Sequence, residues 1–568
     1  MFRALYLILI ALVVIPIVPG IIGVMLSSFS YIPPLGLYDF SLSGYLQAIH
    51  WPGLPKSATL TLLSSLISTY LALLLTFIIL QSFWSSKIWR FVENLLSPLL
   101  AIPHVAFAIG FAFLFSPTGI STRIIGALAN IELNNFSATW FVQDPYALGL
   151  TIALAIKELP FLLLMSIPIL NQLNIGRMKK VSNSLGYSTN EFWWKVVLPQ
   201  WLNKMRFPLF AVIAYGASVV DFALVLGPTT PPTLAVLTWQ WFSEPDLTLL
   251  PRAAAGAMIL FSLTAALLAT VFGIEKFSVG YCSTWQYSGR FGFGLPGRTV
   301  LATTILINLM LIPIMVIWSL AQRWQYPDLI PSRFSLRYWA TEWDNFVPTV
   351  THSLLIAITS ATFALLLAVL AHEYRVKNRL HLPGALIALP ILIPQLSILF
   401  GIQIVTLYIS SDSYYLWVVW SHVFFAFPFV YLSLDGPWRS YDNNYTKAAL
   451  SLGKPPLHVF LTVKAKLLLQ PICYAWAIGA SVSLAQYLPT LILGGGRIAT
   501  ITTEAVALSS GFDRRVTAIY ALWQALLPFV FFSLAIVLPR ILNIKASRRL
   551  PIKEPLTNDA SSRKPRHL

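Results

Sequence analysis

The chain has 568 residues, 57% of them hydrophobic and only 10% charged, with a mean hydropathy of +0.73. Soluble domains carry roughly 25% charged residues, so this composition excludes an ordinary soluble enzyme and indicates a polytopic membrane protein. The net charge of +17 does not call for nucleic acid, because lysines and arginines collect on the cytoplasmic loops of membrane proteins and orient their helices.

A membrane-spanning helix needs about 20 apolar residues at about 1.5 Å rise each. The run from Leu5 to about Leu26 meets this and is too long for the apolar core of a secretion signal, about 7–15 residues; it reads as an uncleaved first span. Further apolar segments lie near 57–80, 95–116, 146–170, 207–227 and 252–274. A second set lies near 299–321, 350–371, 384–409, 414–434, 467–491 and 516–541. The expected fold is therefore all-α, with about twelve transmembrane helices. With the N-terminus inside, 28 of the 38 lysines and arginines fall on inner regions and nine on outer loops, with Lys157 inside a span. That asymmetry puts both termini in the cytoplasm. The basic tail after Arg540 is expected at the anionic inner leaflet. Cys282 and Cys473 have no metal-ligand or CxxC spacing, so no disulfide framework is implied.

The two sets of six look like copies. AIPHVAFAIGF from Ala101 matches LIPQLSILFGI from Leu392; Pro103 and Pro394, like Gly110 and Gly401, stand 291 positions apart. Leu159–Phe161 (LPF) matches Phe427–Phe429 (FPF) at a separation of 268. The step between these values places extra residues in the outer loop 117–145 of the first copy. The division expected is a first repeat over 1–280 (core 57–275) and a second over 281–568 (core 350–541), joined through the inner loop from Phe277 to Gly297. Six spans per copy give both the same orientation, and repeat interfaces are where transporters place the solute path.

After spans four and ten come two unusually long inner loops, 171–206 and 435–466; connections have a median of about 4–6 residues. Each carries a central glycine, Gly186 and Gly453, separated by 267 positions. These loops resemble the coupling loop of bacterial ABC importer permeases, whose pattern is Glu-Ala-Ala, three residues, Gly, nine residues, Ile, one residue, Leu-Pro. Gly186 stands at the glycine, Val196 at the isoleucine, and Leu198 and Pro199 are intact, while Lys180, Val181 and Ser182 replace Glu-Ala-Ala. In the second loop Ala448, Ala449, Gly453 and Val463 fit, Lys447 replaces the glutamate, and Ala465 and Lys466 replace Leu-Pro.

The resemblance covers roughly 57–275 and 350–541 and is nearest to the fused, two-in-one permeases of the thiamine, ferric-iron and polyamine type. It implies a type I importer architecture in the bacterial inner membrane. Each loop would form a short helix docked on a cytoplasmic ATPase subunit, two per chain, with a periplasmic solute-binding protein delivering the solute. The lysines at the glutamate positions imply acidic or neutral partners on the ATPase, and the loss of Leu-Pro implies unequal coupling, with the first loop dominant. ATP would be bound by the partner, and no cofactor is expected in this chain. A P-loop needs GxxxxGK[ST]; the one Gly-Lys pair, Gly453-Lys454, is followed by Pro455 and lacks the upstream glycine, so the chain is not expected to be an enzyme. Nor is a metal site expected.

Asp221 sits within the apolar segment 207–227. A central aspartate costs about 2.5–3.5 kcal/mol on insertion scales, and each Leu, Ile, Phe or Val returns about 0.3–0.6. Ten such residues between Leu209 and Leu226 offset it, so the helix inserts with the carboxylate turned away from lipid. Through the repeat Asp221 aligns with Gln486, and this pair lines the solute path or makes a structural hydrogen bond between helices. Lys157 and Glu158, adjacent before Pro160, fit a structural role better than transport. Trp239 and Trp241, in the proline-rich outer stretch from Gly227 to Asp246, are expected as interfacial anchors. The alternative to an ABC permease is a secondary transporter of the 6+6 kind, with Asp221 or Glu158 as a proton site. A membrane-embedded enzyme finds no His, Asp, Cys or Glu cluster in the spans.

Overall fold

Each of the twelve apolar segments is helical, but several are cut in two where polar side chains meet. The computed structural model describes residues 2–84, 86–129, 141–378, 384–409, 413–511 and 513–547; the basic tail beyond 547 and part of the loop 117–145 lie outside them. The chain begins with α1 (Phe2–Val13) and α2 (Ile17–Ser28), followed by α3 (Leu54–Phe83). Next come α4 (Trp89–Ala101) and α5 (His104–Phe115), α6 (Leu148–Leu173) and the short α7 (Ile175–Ser184). The fifth segment is α8 (Arg206–Ser218) and α9 (Asp221–Leu226); α10 (Leu234–Phe242) leads to α11 (Leu250–Tyr287). The second set runs α12 (Gly297–Leu320), α13 (Arg337–Asn378), α14 (Gly384–Leu392), α15 (Gln395–Leu407) and α16 (Tyr414–Ser440). It ends with α17 (Asn443–Ser451), α18 (Leu469–Leu484), α19 (Leu488–Leu493), α20 (Ile501–Ser509) and α21 (Arg514–Ser547). Among the described residues the one sheet is a two-stranded antiparallel ladder, β1 (Ala321–Arg323) with β2 (Arg333–Phe334).

Of the described helices, nine are long and apolar enough to cross a membrane unaided. The three remaining segments, 207–227, 384–409 and 467–491, fall short because each is broken. At α4/α5 and α14/α15 the cause is proline. Pro103 and Pro394 lack the N–H that would continue the ladder and hold extended backbone at ψ 154° and 123°. The break at α8/α9 has no proline, and Val219 turns to ψ 128°; at α18/α19, α18 stops at Leu484 and Pro489, the second residue of α19, has no N–H to bond back to Ala485. Broken helices survive at membrane depth only where protein or a cavity receives their free backbone groups.

Packing exchanges elements between the sets. Helix α2 lies against α15 and α11, and α12 lies against α5, α3 and α21. Glycine permits the first crossing: a Cβ on Gly401 would fall 1.6 Å from the Gly20 carbonyl oxygen, and one on Gly23 2.7 Å from the Gly401 carbonyl oxygen. Such backbone-to-backbone approach is how helices associate without a hydrophobic drive between them. Helices α3 and α13 sit centrally, each packed on a long neighbour, α6 and α16, and on a broken one, α8 and α18. Their serines and threonines bond back to carbonyls one turn earlier, as Thr61, Thr69 and Ser353 do, and so remain compatible with lipid. The outward rows Leu63, Ile67, Leu74 on α3 and Leu355, Ile358, Leu366 on α13 stay exposed, an arrangement suited to hydrocarbon rather than water.

Helix α11 runs to Tyr287, through the expected division at 280/281, so the irregular link between the two sets is confined to 288–296. Trp241 is not an interfacial anchor. It is 2% exposed, edge-on to Trp51 at 5.7 Å and under the Arg252 guanidinium at 5.2 Å, because α10 turns inward. Trp239 likewise packs inward, on Phe242 and Tyr487.

Candidate functional site

The two long loops share one local design. In the first, α7 ends where Gly186 takes φ 79°, and the Gly186 and Tyr187 amides return to the carbonyls of Asn183 and Ser182. This is the glycine-capped helix end that closes orphan carbonyls. Ser188 then opens the next turn with a capping box: its Oγ accepts from the Glu191 amide, and its own amide donates to the Glu191 carboxylate at 2.7 Å. Those bonds hold the Glu191 carboxyl below the usual carboxylate range. A π-helical turn follows over Phe192–Val197, then a short helix over Leu198–Lys204. In the second loop α17 precedes Gly453 at φ 77°, a short helix over Pro456–Val459 and a π-helical turn over Phe460–Lys464. Lys466 stands where the first loop has Pro199, so proline is not the cause of the π turn.

The predicted residues divide by exposure. Lys180, Val181 and Gly186 are exposed, as are Lys447, Ala448 and Gly453, while Ser182 is buried and Val196, Leu198, Pro199, Ala449 and Val463 are half-buried. Leu185 and Leu452, beside the glycines, are 64% and 78% exposed. Each loop thus presents an apolar residue next to a lysine-bearing helix end. The surroundings differ. The link 288–296 lies along the first loop: Arg290 donates to the Leu185 carbonyl at 3.2 Å, and Trp194 stacks on Phe293 and donates to its carbonyl. Around Gly453 there is open space.

Between the two sets, the four helix breaks surround a cavity of about 310 Å³. Asp221 opens α9 and Gln486 sits in the α18/α19 break, and both line it, together with Glu158, Lys157 and Tyr215. Sequence reasoning did not single out His104 and Gln395, which also face the cavity. The available signal was their place, each directly after the repeated proline. Gln395 Nε2 donates to the side-chain amide oxygen Oε1 of Gln486 at 2.8 Å, and His104 Nε2 lies 3.1 Å from Glu158 Oε1. The Lys157 amine donates to the carbonyls of Leu99 and Ile102, the former orphaned by Pro103. Among the described residues no group of three His, Cys, Asp or Glu side chains is placed to hold a metal.

A helical bundle of this apolarity, with matched loops at one end and a polar-faced cavity at its centre, defines a membrane transport protein. No family model matches the chain. Over 502 residues it is 31% identical to the Inner membrane ABC transporter permease protein YnjC of Escherichia coli (strain K12), covering 87% of this chain and 91% of that protein. A shorter likeness, 22% over 166 residues, links it to the Spermidine/putrescine transport system permease protein PotC of the same strain, over 27% of this chain and 62% of that protein. The chain belongs to the ABC transporter permeases, and its function is that of the membrane-spanning permease subunit of such a transporter.

Proposed function

We propose that this chain carries both permease halves of an importer of the bacterial inner membrane, one ending with α11 at Tyr287 and the other beginning with α12 at Gly297, with both termini in the cytoplasm. Two cytoplasmic ATPase subunits dock on it, one at α7 with Gly186 and one at α17 with Gly453. A periplasmic solute-binding protein delivers the solute to the opposite face. The observation that carries this reading is the twofold occurrence of one element, a helix, a left-handed glycine and a π-helical turn, each exposing a lysine and a leucine. ATP-driven closure of the ATPases moves these elements, and the broken helices α8/α9 and α18/α19 transmit the movement to the cavity, where Asp221 and Gln486 meet the solute. Such coupling needs two discrete arrangements of the bundle with different affinities at each site. The inner-membrane relative supports the location. Catalysis of ATP hydrolysis is left to the partner, since no P-loop sequence is present.

The test is co-purification with the cytoplasmic ATPase, combined with glutamate substitutions at the two glycines. Gly186→Glu is expected to abolish uptake and Gly453→Glu to reduce it less, at equal expression. Normal uptake by Gly186→Glu, with loss only in Gly453→Glu, contradicts the ranking of the loops. Absence of any ATPase from the purified complex contradicts the reading itself.

A further inference from the structure

Charges around the central cavity do not cancel, and the remainder says what kind of solute it takes. Position by position, the wall from the second set is neutral: Gln395 stands where the first set has His104, and Gln486 where it has Asp221. Those two glutamines satisfy one another at 2.8 Å. On the wall from the first set, Lys157 is held by the carbonyls of Leu99 and Ile102, and the neighbouring Glu158 is bound by His104. His104 stands between the two carboxylates, bonded to Glu158 and acting on Asp221; with its imidazole neutral, the Lys157 and Glu158 charges offset one another and one negative charge remains. Asp221 is left: it faces the cavity and makes no ion pair among the described residues. Around it the lining is apolar and aromatic, with Tyr215, Tyr487, Phe161, Phe425 and Phe429.

We infer that the cavity accepts an organic cation carrying one positive charge on an apolar body, with Asp221 as its counter-ion. A carboxylate in an apolar membrane setting is costly unless it is paired, so a neutral or anionic solute leaves that cost in place. Hard metal ions want six or more oxygen ligands; here Glu158 is taken by His104 and the two amides by one another, which leaves Asp221, among the described residues of the lining, as the one carboxylate free of a side-chain partner. Aromatic rings favour an ammonium or quaternary nitrogen by cation–π attraction. One unpaired carboxylate matches one charge, so the further charges of a polyamine find no partner here. This inference rests on the reading of the cavity as the solute path and names the solute class for it.

The experiment is equilibrium binding to the purified full chain in nanodiscs, which needs neither ATP nor a partner and so stands apart from the transport reading. The probes are radiolabelled phenethylammonium, its uncharged analogue phenethyl alcohol, and spermidine. Wild-type protein is expected to bind phenethylammonium at least about tenfold more tightly than the alcohol, as suits a charge-assisted contact, and spermidine no more tightly than the monoamine. Asp221→Asn should erase the preference and Asp221→Glu should keep it. Gln486→Glu is the second variant and guards against misfolding of Asp221→Asn: a carboxylate added at the matching place should shift the preference to a diamine, 1,4-diaminobutane, over the monoamine. Equal binding of cation and alcohol by wild type, tighter binding of spermidine by tenfold or more, or an unchanged preference in both Asp221→Asn and Gln486→Glu overturns the inference.

Discussion

Gly401→Ala is the sharpest test of how the two sets of helices interlock. The added methyl would lie 1.6 Å from the Gly20 carbonyl oxygen, 2.5 Å from its carbonyl carbon and 2.8 Å from the Val24 nitrogen. All three are backbone atoms of α2, so no rotamer change relieves the clash. Ordinary contact begins near 3.4 Å, and α2 must therefore retreat from α15 by nearly 2 Å. Overpacking of this kind costs about 1–3 kcal/mol, and the rigidity of both partners puts the expected loss at the upper end. The same retreat separates α2 from Ile398 and Ile402, its other neighbours there. Gly273→Ala in α11 is the control. That site has open space around it, and replacing a helical glycine by alanine should stabilise by about 0.5–1 kcal/mol. Denaturant unfolding in nanodiscs, followed by tryptophan fluorescence, should show the midpoint of Gly401→Ala lowered and that of Gly273→Ala unchanged or raised. Equal midpoints for the two variants would refute the backbone crossing.

Other consequences follow from the same geometry. Gly186→Ala and Gly453→Ala place a side chain at φ 79° and 77°, each costing about 1–2 kcal/mol of local stability; hydrogen exchange in α7 and α17 should accelerate in the respective variant. Lys157→Met leaves the Leu99 and Ile102 carbonyls unsatisfied, with an expected loss of about 1–3 kcal/mol; it also leaves the Glu158 charge without its offset, so spermidine should gain on phenethylammonium while the cation stays ahead of the alcohol. For Glu191 the sign is fixed by its depressed folded value, caused by the Ser188 amide and hydroxyl. The contribution of the capping box is complete above the unfolded value of about 4.3 and is lost as pH falls through the lower folded one. Protection of the Ser188 amide, corrected for intrinsic exchange, should fall across that acid window in wild type and be flat with pH in Glu191→Gln.

Much of this was legible in the chain because the lipid imposes a simple rule: apolar length gives a helix. The twelve segments, the repeated Pro103 and Pro394, and the two glycines bounding α7 and α17 all follow from composition, spacing and elementary backbone chemistry. Hydropathy could not show where a span breaks without proline. Val219-Val220 reads as continuous helix, yet the backbone opens there to bring Asp221 into the cavity. Nor could it show which tryptophans face lipid, since Trp241 owes its burial to the inward turn of α10. His104 and Gln395 escaped notice because a lone histidine and a lone glutamine in apolar runs carry no motif. Only the meeting of four broken helices gives them a shared surface. The strapping of Arg290 and Phe293 onto the first loop was equally hidden, since it joins residues about a hundred positions apart.

The central claim, that this polypeptide moves its solute only when an external ATPase drives its paired loops, is tested most directly by reconstitution. Proteoliposomes holding the chain with its ATPase and solute-binding protein should accumulate solute with ATP on the ATPase side, and continue to do so when a protonophore collapses the proton gradient. Uphill accumulation by vesicles containing this chain alone, energised by a proton or sodium gradient without ATP, would contradict the account.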